Sequence, residues 1–416
     1  MNVTHISPRF FPAISGAEFY MQRISEELFK TKVIGVTLHC SNAVDFAGLR
    51  ETTPKSLEAK SFLWKNQFMV HRHAVESLDF RVQIEYYLKN FQKILQVNAD
   101  EISSYIKNGP AIPSMLAFLK ESQTNLLHST FFPYQTVLDG ILASILHGIP
   151  SVCTPFFHFA NPRYKDIAGI SLLNKYSKIL ACTVMEKNEL TKCGIFPDKI
   201  EVVPMGVDAE KFELAKREWF AESYDIAENR PVVLFCGYKN YEKGALSLLQ
   251  SLPHVQNIVN DVLYCFIGPP TKAFNYELSR IKKLGFTKNI LNINPVNLRG
   301  YFDKRKLGAF KSCAVYAMPS RTDAYGISFL EAWAAGKPVI GADIGATPEV
   351  IEDGVTGLLT EFGNPLAIAQ KIIMLLQNSD LANTLGTNGQ NKVRENNSWK
   401  TITQKIKEIY EVLVSG

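Results

Sequence analysis

The chain of 416 residues lacks several features that would otherwise fix its class. Its seven cysteines (Cys40, Cys153, Cys182, Cys193, Cys236, Cys265, Cys313) include no C-x-x-C pair. Most lie in apolar runs, which points to buried reduced thiols rather than a disulfide framework or a zinc site. No apolar stretch approaches the roughly 20 residues that a membrane-spanning helix needs. The opening MNVTHISPRFFP has no basic region followed by an apolar core, so it does not read as a signal peptide. A strong excess of one charge is also missing: the net charge is +5, too small for a pronounced nucleic-acid-binding field. No G-x-G-x-x-G run occurs, which argues against a nicotinamide-dinucleotide enzyme. There is no internal repeat and no low-complexity tract. These absences lead to the expectation of a cytoplasmic protein whose membrane contact, if any, is peripheral.

What is present fits a soluble globular protein, with 46% apolar and 20% charged residues. The length suffices for two domains, each with its own core. Apolar runs alternate with helical patterns through both halves, as in parallel sheets covered by helices. In the first half the strand candidates are residues 3–7, 33–38, 68–71, 126–129, 151–154, 179–184 and 200–203. In the second they are residues 232–236, 262–268, 290–293, 313–318 and 338–342. Residues 74–107 read as helical but less regular. The polar WFAESYDIAENR places the expected linker near residues 211–231.

The most informative stretch is residues 319–359, which reads PSRTDAYGISFLEAWAAGKPVIGADIGATPEVIEDGVTGLL. It follows the strand candidate at residues 313–318. Gly326 to Ala335 reads as a helix ended by Gly336 and Pro338. The first N–H groups of such a helix, at its positive dipole end, suit an anion such as a phosphate. Asp323 stands just before the helix and Glu331 more than a turn inside it. One carboxylate can reach a group beyond the phosphate and the other a group behind it. A phosphate with hydroxyls at both ends describes a nucleotide sugar.

This layout resembles the donor site of retaining glycosyltransferases of family 4, with the GT-B fold. The family pattern is P-S-x-x-E-G-F-G-x-x-x-L-E-A-x-A-x-G-x-P-V. Leu330-Glu331-Ala332, Gly336, Pro338-Val339, Pro348-Glu349-Val350 and Glu352-Asp353-Gly354-Val355-Thr356-Gly357 all fit. Asp323 replaces the first glutamate, Tyr325-Gly326 replaces Phe-Gly, and Gly345-Ala346 stands for Gly-Gly. Ile200 to Phe212 is similar to the family's I-x-V-I-P-N-G-V-D-x-x-x-F, with Met205 for Asn. Pro8 to Glu18 looks like its glycine loop P-P-x-x-G-G-x-E, with Ser15-Gly16 for Gly-Gly. The run Cys236 to Gly244 matches its lysine as Lys243-Gly244, but Tyr238 holds the usual arginine position. Lysine lacks the bidentate fork of arginine, so Lys239 in its stead would not be neutral.

The resemblance implies an α/β GT-B architecture: two Rossmann-like, doubly wound parallel-sheet domains facing a central cleft. Residues 1–212 would form the acceptor-side domain, completed by a C-terminal helix at 398–416. Residues 213–397 would bind the nucleotide sugar. By the same resemblance, Glu331 holds ribose hydroxyls and Asp323 sugar hydroxyls, while Lys243, helped by Lys239, neutralises the departing diphosphate. The amides of Tyr325, Gly326 and Ile327 meet the phosphates or the sugar, and Gly16 faces the diphosphate. His128 stands near the family's V-H-x-H, whose second position here is Thr130, and is a catalytic candidate or a packed strand-end histidine. His158 is an acceptor-side candidate.

The implied function is metal-independent, retaining transfer of a hexose from a UDP- or GDP-sugar to a glycan, lipid-linked or small-molecule acceptor. It requires no cofactor and no nucleic acid, and the absence of D-x-D fits a site without a metal. Base selection would rest near residues 293–296. Arg72, Arg81, Lys89 and Lys93 are candidates for contact with anionic headgroups, although scattered charges on a helix usually form a solvated face. The alternatives are a sugar-nucleotide 2-epimerase, a phosphorylase of the same fold and a catalytically silent nucleotide-sugar binder.

Overall fold

The computed structural model describes every residue except Ile14, Thr52, Ser122, Phe159, Ala160, Pro162, Arg163, Lys165 and Gly416. Ile14, part of the expected glycine loop, therefore lies outside the described residues. The chain divides into two units: Met1–Pro204 together with Trp399–Gly416, and Met205–Ser398.

The first unit is built on an eight-stranded sheet of order β3-β4-β2-β1-β5-β6-β7-β8. Its strands are β1 (Asn2–Ile6), β2 (Gly35–Ser41), β3 (Ser61–Trp64), β4 (Phe68–His73), β5 (Leu126–Thr130), β6 (Ser151–Thr154), β7 (Lys178–Ala181) and β8 (Ile200–Val202). β1 pairs in parallel with both β2 and β5, Val3 lying opposite Val36 on one side and Leu126 on the other. Only the edge strand β3 runs antiparallel, against β4. β5 (LLHST) and β6 (SVCT) are buried at every position, as expected of strands covered on both faces, and their polar residues are therefore buried too. The helix Gln135–His147 covers one face, and its Val137, Leu138, Ile141 and Leu142 are fully buried with Ile170, Leu173 and Ile179.

The C-terminal helix Trp399–Ser415 belongs to this first unit and packs on the helix Gly16–Lys30. Trp399 meets the rings of Phe19 and Tyr20, with centroids 6.0 and 6.1 Å away.

The second unit carries a six-stranded, wholly parallel sheet of order β11-β10-β9-β12-β13-β14. Its strands are β9 (Val232–Cys236), β10 (Leu263–Ile267), β11 (Ile290–Ile293), β12 (Val315–Met318), β13 (Val339–Ala342) and β14 (Leu358–Thr360). The chain winds outward from β9 in one direction, then returns to lay β12 on its other side. The strand order therefore reverses between β9 and β12, and ligands of such sheets bind at the carboxyl edge of that position.

The unit boundary falls at Pro204 rather than at Phe212. Residues 205–212 pack with the second unit because Phe212 is fully buried there, its ring 5.3 Å from that of Phe310. The expected linker at 211–231 is folded too. It carries the end of helix Ala209–Glu213 and all of Glu218–Tyr224, with Phe220 buried. Two apolar side chains among many polar ones suffice to dock such short helices, and composition alone does not reveal them.

Candidate active site

The loops after β9 and β12 stand at the strand-order reversal, and their side chains meet. After β9 the chain turns through Gly237 to Gly244 into the helix Ala245–Gln256. Asn240 Oδ1 accepts the Lys243 backbone N–H at 2.8 Å, which fixes the end of this turn. Gly244 has φ +73, and a Cβ there would lie 2.1 Å from the carbonyl oxygen of Pro319. Only glycine allows both that backbone angle and that approach.

After β12 the loop runs from Pro319 to Gly326, where φ is +89, and the helix Ile327–Ala334 begins. A Cβ on Gly326 would press on the Phe329 ring at 2.6 Å. Of the first N–H groups of this helix, that of Phe329 donates to the Gly326 carbonyl at 2.9 Å, and those of Ile327 and Ser328 have no carbonyl partner within the helix.

Two ion pairs tie the loops together. Arg321 donates through Nε and Nη2 to the two carboxylate oxygens of Glu242, at 2.9 and 2.7 Å. Its backbone N–H donates to the Glu242 carbonyl at 2.8 Å. Beside this clamp, Lys243 Nζ lies 2.6 Å from Asp323 Oδ2 and 3.4 Å from the Thr322 carbonyl. Both side chains keep contact with solvent, 21% for Lys243 and 16% for Asp323.

Glu331 is placed differently. It is 2% exposed, and Lys306 Nζ donates to its Oε1 at 2.7 Å. The Tyr301 hydroxyl also bonds Glu331, and the Lys306 ammonium sits 3.7 Å from the Tyr301 ring centroid. Burial, then the neighbouring Glu331 charge, pushes the Tyr301 hydroxyl well up from its ordinary value. Glu331 is thus a buried carboxylate whose charge is balanced from within the unit. Tyr325, just ahead of the helix, is anchored through its hydroxyl by Asn397 Nδ2 at 2.9 Å.

Lys239 does not join Lys243. It is fully buried, and its ammonium donates to Asn292 Oδ1 at 2.5 Å and to the Ile293 carbonyl at 3.1 Å, at the end of the edge strand β11. Burial lowers its pKa to about 8. The cation expected to stand in for the usual arginine is therefore spent on closing the sheet edge. Tyr238 next to it is about half exposed.

In the first unit, His128 is not at an open surface. It is fully buried within β5, with Nδ1 bonded to the Tyr410 hydroxyl and Nε2 2.8 Å from Thr154 Oγ1. Burial, reinforced by His5, holds its pKa well below the ordinary value, so it stays neutral. Its packing reading applies, and it leaves the catalytic set. Gly16 opens the helix Gly16–Lys30 beside a buried pair that sequence reasoning missed. There Arg9 Nη2 lies 2.6 Å from Glu18 Oε1, and Ser15 Oγ donates to Glu18. Arg9 also rests 4.0 Å over the Phe46 ring. His158 is half-buried, its ring 5.1 Å from that of Tyr164. Of the basic residues proposed for headgroups, Arg72 lies on β4 and donates to the Phe11 carbonyl. Arg81, Lys89 and Lys93 are exposed on the helix Phe80–Leu95.

Glu242 and Arg321 were also missed, although Glu242 adjoins Lys243 and Arg321 stands two residues before Asp323. Lys306 gave no signal, because the run Lys304-Arg305-Lys306 reads as a solvated face.

Two doubly wound parallel sheets of this topology, one with a cation, a carboxylate and a helix start gathered where its strand order reverses, are the elements of the GT-B fold. The chain belongs to the group 1 glycosyltransferases of family 4. The model for glycosyl transferases group 1 matches residues 216–392, and that for Glycosyltransferase Family 4 matches residues 77–211. Phosphatidyl-myo-inositol mannosyltransferase of Mycobacterium leprae is 31% identical over 186 residues, 44% of this chain and 47% of that protein. Alpha-maltose-1-phosphate synthase of Mycolicibacterium smegmatis is 26% identical over 303 residues, 67% of this chain and 76% of that protein. The chain spans about half the length of two relatives it matches, 47% in each. HepE of Anabaena, solved in complex with UDP-glucose, shares the fold with a TM-score of 0.74 at 16% identity, covering 99% of this chain and 100% of that one. Among the described residues no helix is long and apolar enough to cross a membrane.

Proposed function

We propose that this chain transfers a hexose from a UDP- or GDP-sugar to a glycan, lipid-linked or small-molecule hydroxyl, with retention at the sugar carbon and without a metal. The observation that carries this reading is the Lys243–Asp323 pair ahead of the helix start at Gly326, with Glu331 a turn further in. Lys243 binds the diphosphate, and the N–H groups from Tyr325 to Ile327 add donors toward it or the sugar. Asp323 takes sugar hydroxyls, and Glu331 takes ribose hydroxyls with Lys306 balancing its charge. The bond from the sugar carbon to the phosphate oxygen breaks, and a new bond forms from that carbon to the acceptor oxygen. The acceptor proton passes to the leaving diphosphate. A fixed cation and fixed dipoles stabilise the charge that develops there, which is electrostatic catalysis. The mannosyltransferase and maltose-1-phosphate synthase among the relatives support a hexose donor. The protein is read as cytoplasmic, with any membrane contact peripheral.

The test is calorimetric titration with UDP, GDP and ADP. Micromolar binding of one nucleotide, much weakened but still measurable in Lys243→Ala, is expected, and binding of none would sink the reading. A second reading, a silent nucleotide-sugar binder, draws on Tyr238 at the arginine position and on the engagement of Lys239 elsewhere. Such a protein would bind nucleotide but release none from a sugar donor with any acceptor.

A further inference from the structure

The Lys243–Asp323 ion pair implies a second property of the donor site, which rests on the reading above. The pair is held in place by its surroundings. Asn240 fixes the backbone of Lys243, the Glu242–Arg321 clamp joins the two loops, and Gly244 lies against Pro319. Lys243 and Asp323 are thereby set as one another's counter-ion at 2.6 Å. An ammonium is a compact point charge, and it cannot fully neutralise a carboxylate and a diphosphate at once. A phosphate drawn to Lys243 also meets the negative charge of Asp323, and like charges at such range repel.

We propose that Asp323 competes with the donor diphosphate for Lys243, and that the carboxylate is freed for sugar hydroxyls only once a diphosphate has taken the lysine. Recognition of the sugar then depends on the nucleotide carrying it. A free sugar meets a carboxylate already paired. A sugar nucleotide brings both the anion that displaces Asp323 and the hydroxyls that satisfy it. A nucleoside diphosphate alone leaves Asp323 unsatisfied beside the phosphates, so the product is held less tightly than the donor. After transfer Asp323 recaptures Lys243, which favours product release.

The experiment is calorimetric titration of UDP and GDP into the wild type, Asp323→Asn and Asp323→Ser, with Lys243→Ala and the Lys243→Ala/Asp323→Asn double variant closing a cycle. Removing the carboxylate should tighten binding of the nucleoside diphosphate by roughly two- to fivefold, the range of a partly exposed ion pair, while sugar transfer falls. In the double variant the gain over Lys243→Ala should shrink, because only the direct repulsion remains. Unchanged or weaker binding in both single variants would overturn the proposal. So would an equal gain without the lysine, since Asp323 would then act by repulsion alone. If the wild type bound neither nucleotide, the transferase reading would fail and take this one with it. The two failures are therefore told apart by the wild-type titration.

Discussion

At the scale of single residues, the buried pair Lys306–Glu331 is the most sensitive point of the second unit. Neither partner can be lost alone without stranding the other charge away from water. Lys306→Met is expected to cost about 3–5 kcal/mol of stability, the usual penalty for an uncompensated buried charge. Replacing both, as in Lys306→Met with Glu331→Leu, should recover most of that in thermal melts yet leave donor binding abolished. If the single variant melted like the wild type, Glu331 would not be the buried anion described here. Asp323, Lys243 and Glu331 could be chosen from sequence because each lies inside a dense motif. Lys306 could not, because its meeting with Glu331 depends on how the helix Lys304–Ser312 turns against the helix Ile327–Ala334. For the same reason nothing in Tyr238-Lys239 indicated that the lysine would bond Asn292 and Ile293 of the edge strand rather than join Lys243.

At the scale of elements, the helices Phe80–Leu95 and Gln135–His147 share a buried polar contact, in which the Tyr87 hydroxyl donates to Asp139. Burial raises the Asp139 pKa from 3.8 to about 7. The folded chain thus keeps this proton at a pH where the unfolded chain has lost it. The contribution is full below about pH 4, is lost as pH rises toward 7, and is flat above that. Between pH 5 and pH 8 this amounts to roughly 2–3 kcal/mol for the first unit. Urea unfolding at those two values should show the loss in the wild type and its absence in Asp139→Asn. Equal slopes would mean that Asp139 is ionised in the fold. Element positions were largely legible: the run at 232–236 coincides with β9 because a central parallel strand is buried and apolar, and the run at 290–293 coincides with the edge strand β11, where three isoleucine and leucine side chains outweigh Asn292. β14, with three residues, and the edge strand β3, with four, were not read, since so short a run carries no usable period.

At the scale of the whole molecule, the first unit is completed only by the last helix. Tyr410 bonds both His5 and His128, and Trp399 packs on Phe19 and Tyr20. Ending the chain after Ser398 would remove these contacts and leave two buried histidines without their hydroxyl partner. A buried polar group stripped of its partner costs about 1–3 kcal/mol, and the lost packing adds to it. Such a truncation is expected to lower the melting temperature of the first unit, and an unchanged transition would contradict the packing seen. The return of this helix could be expected from the resemblance alone, because no local pattern in residues 399–415 names its partner.

The second unit is thus an insertion within the first, and its two ends are stitched together. Val207 bridges Ser398, and Asn397 Nδ2 donates to the Met205 carbonyl at 2.9 Å. During synthesis on the ribosome, residues 205–398 form one unbroken stretch that can finish folding as soon as it emerges. The earlier-made residues 1–204 must wait, with His5 and His128 uncovered, for the final segment. The unit begun earlier is therefore the one completed later.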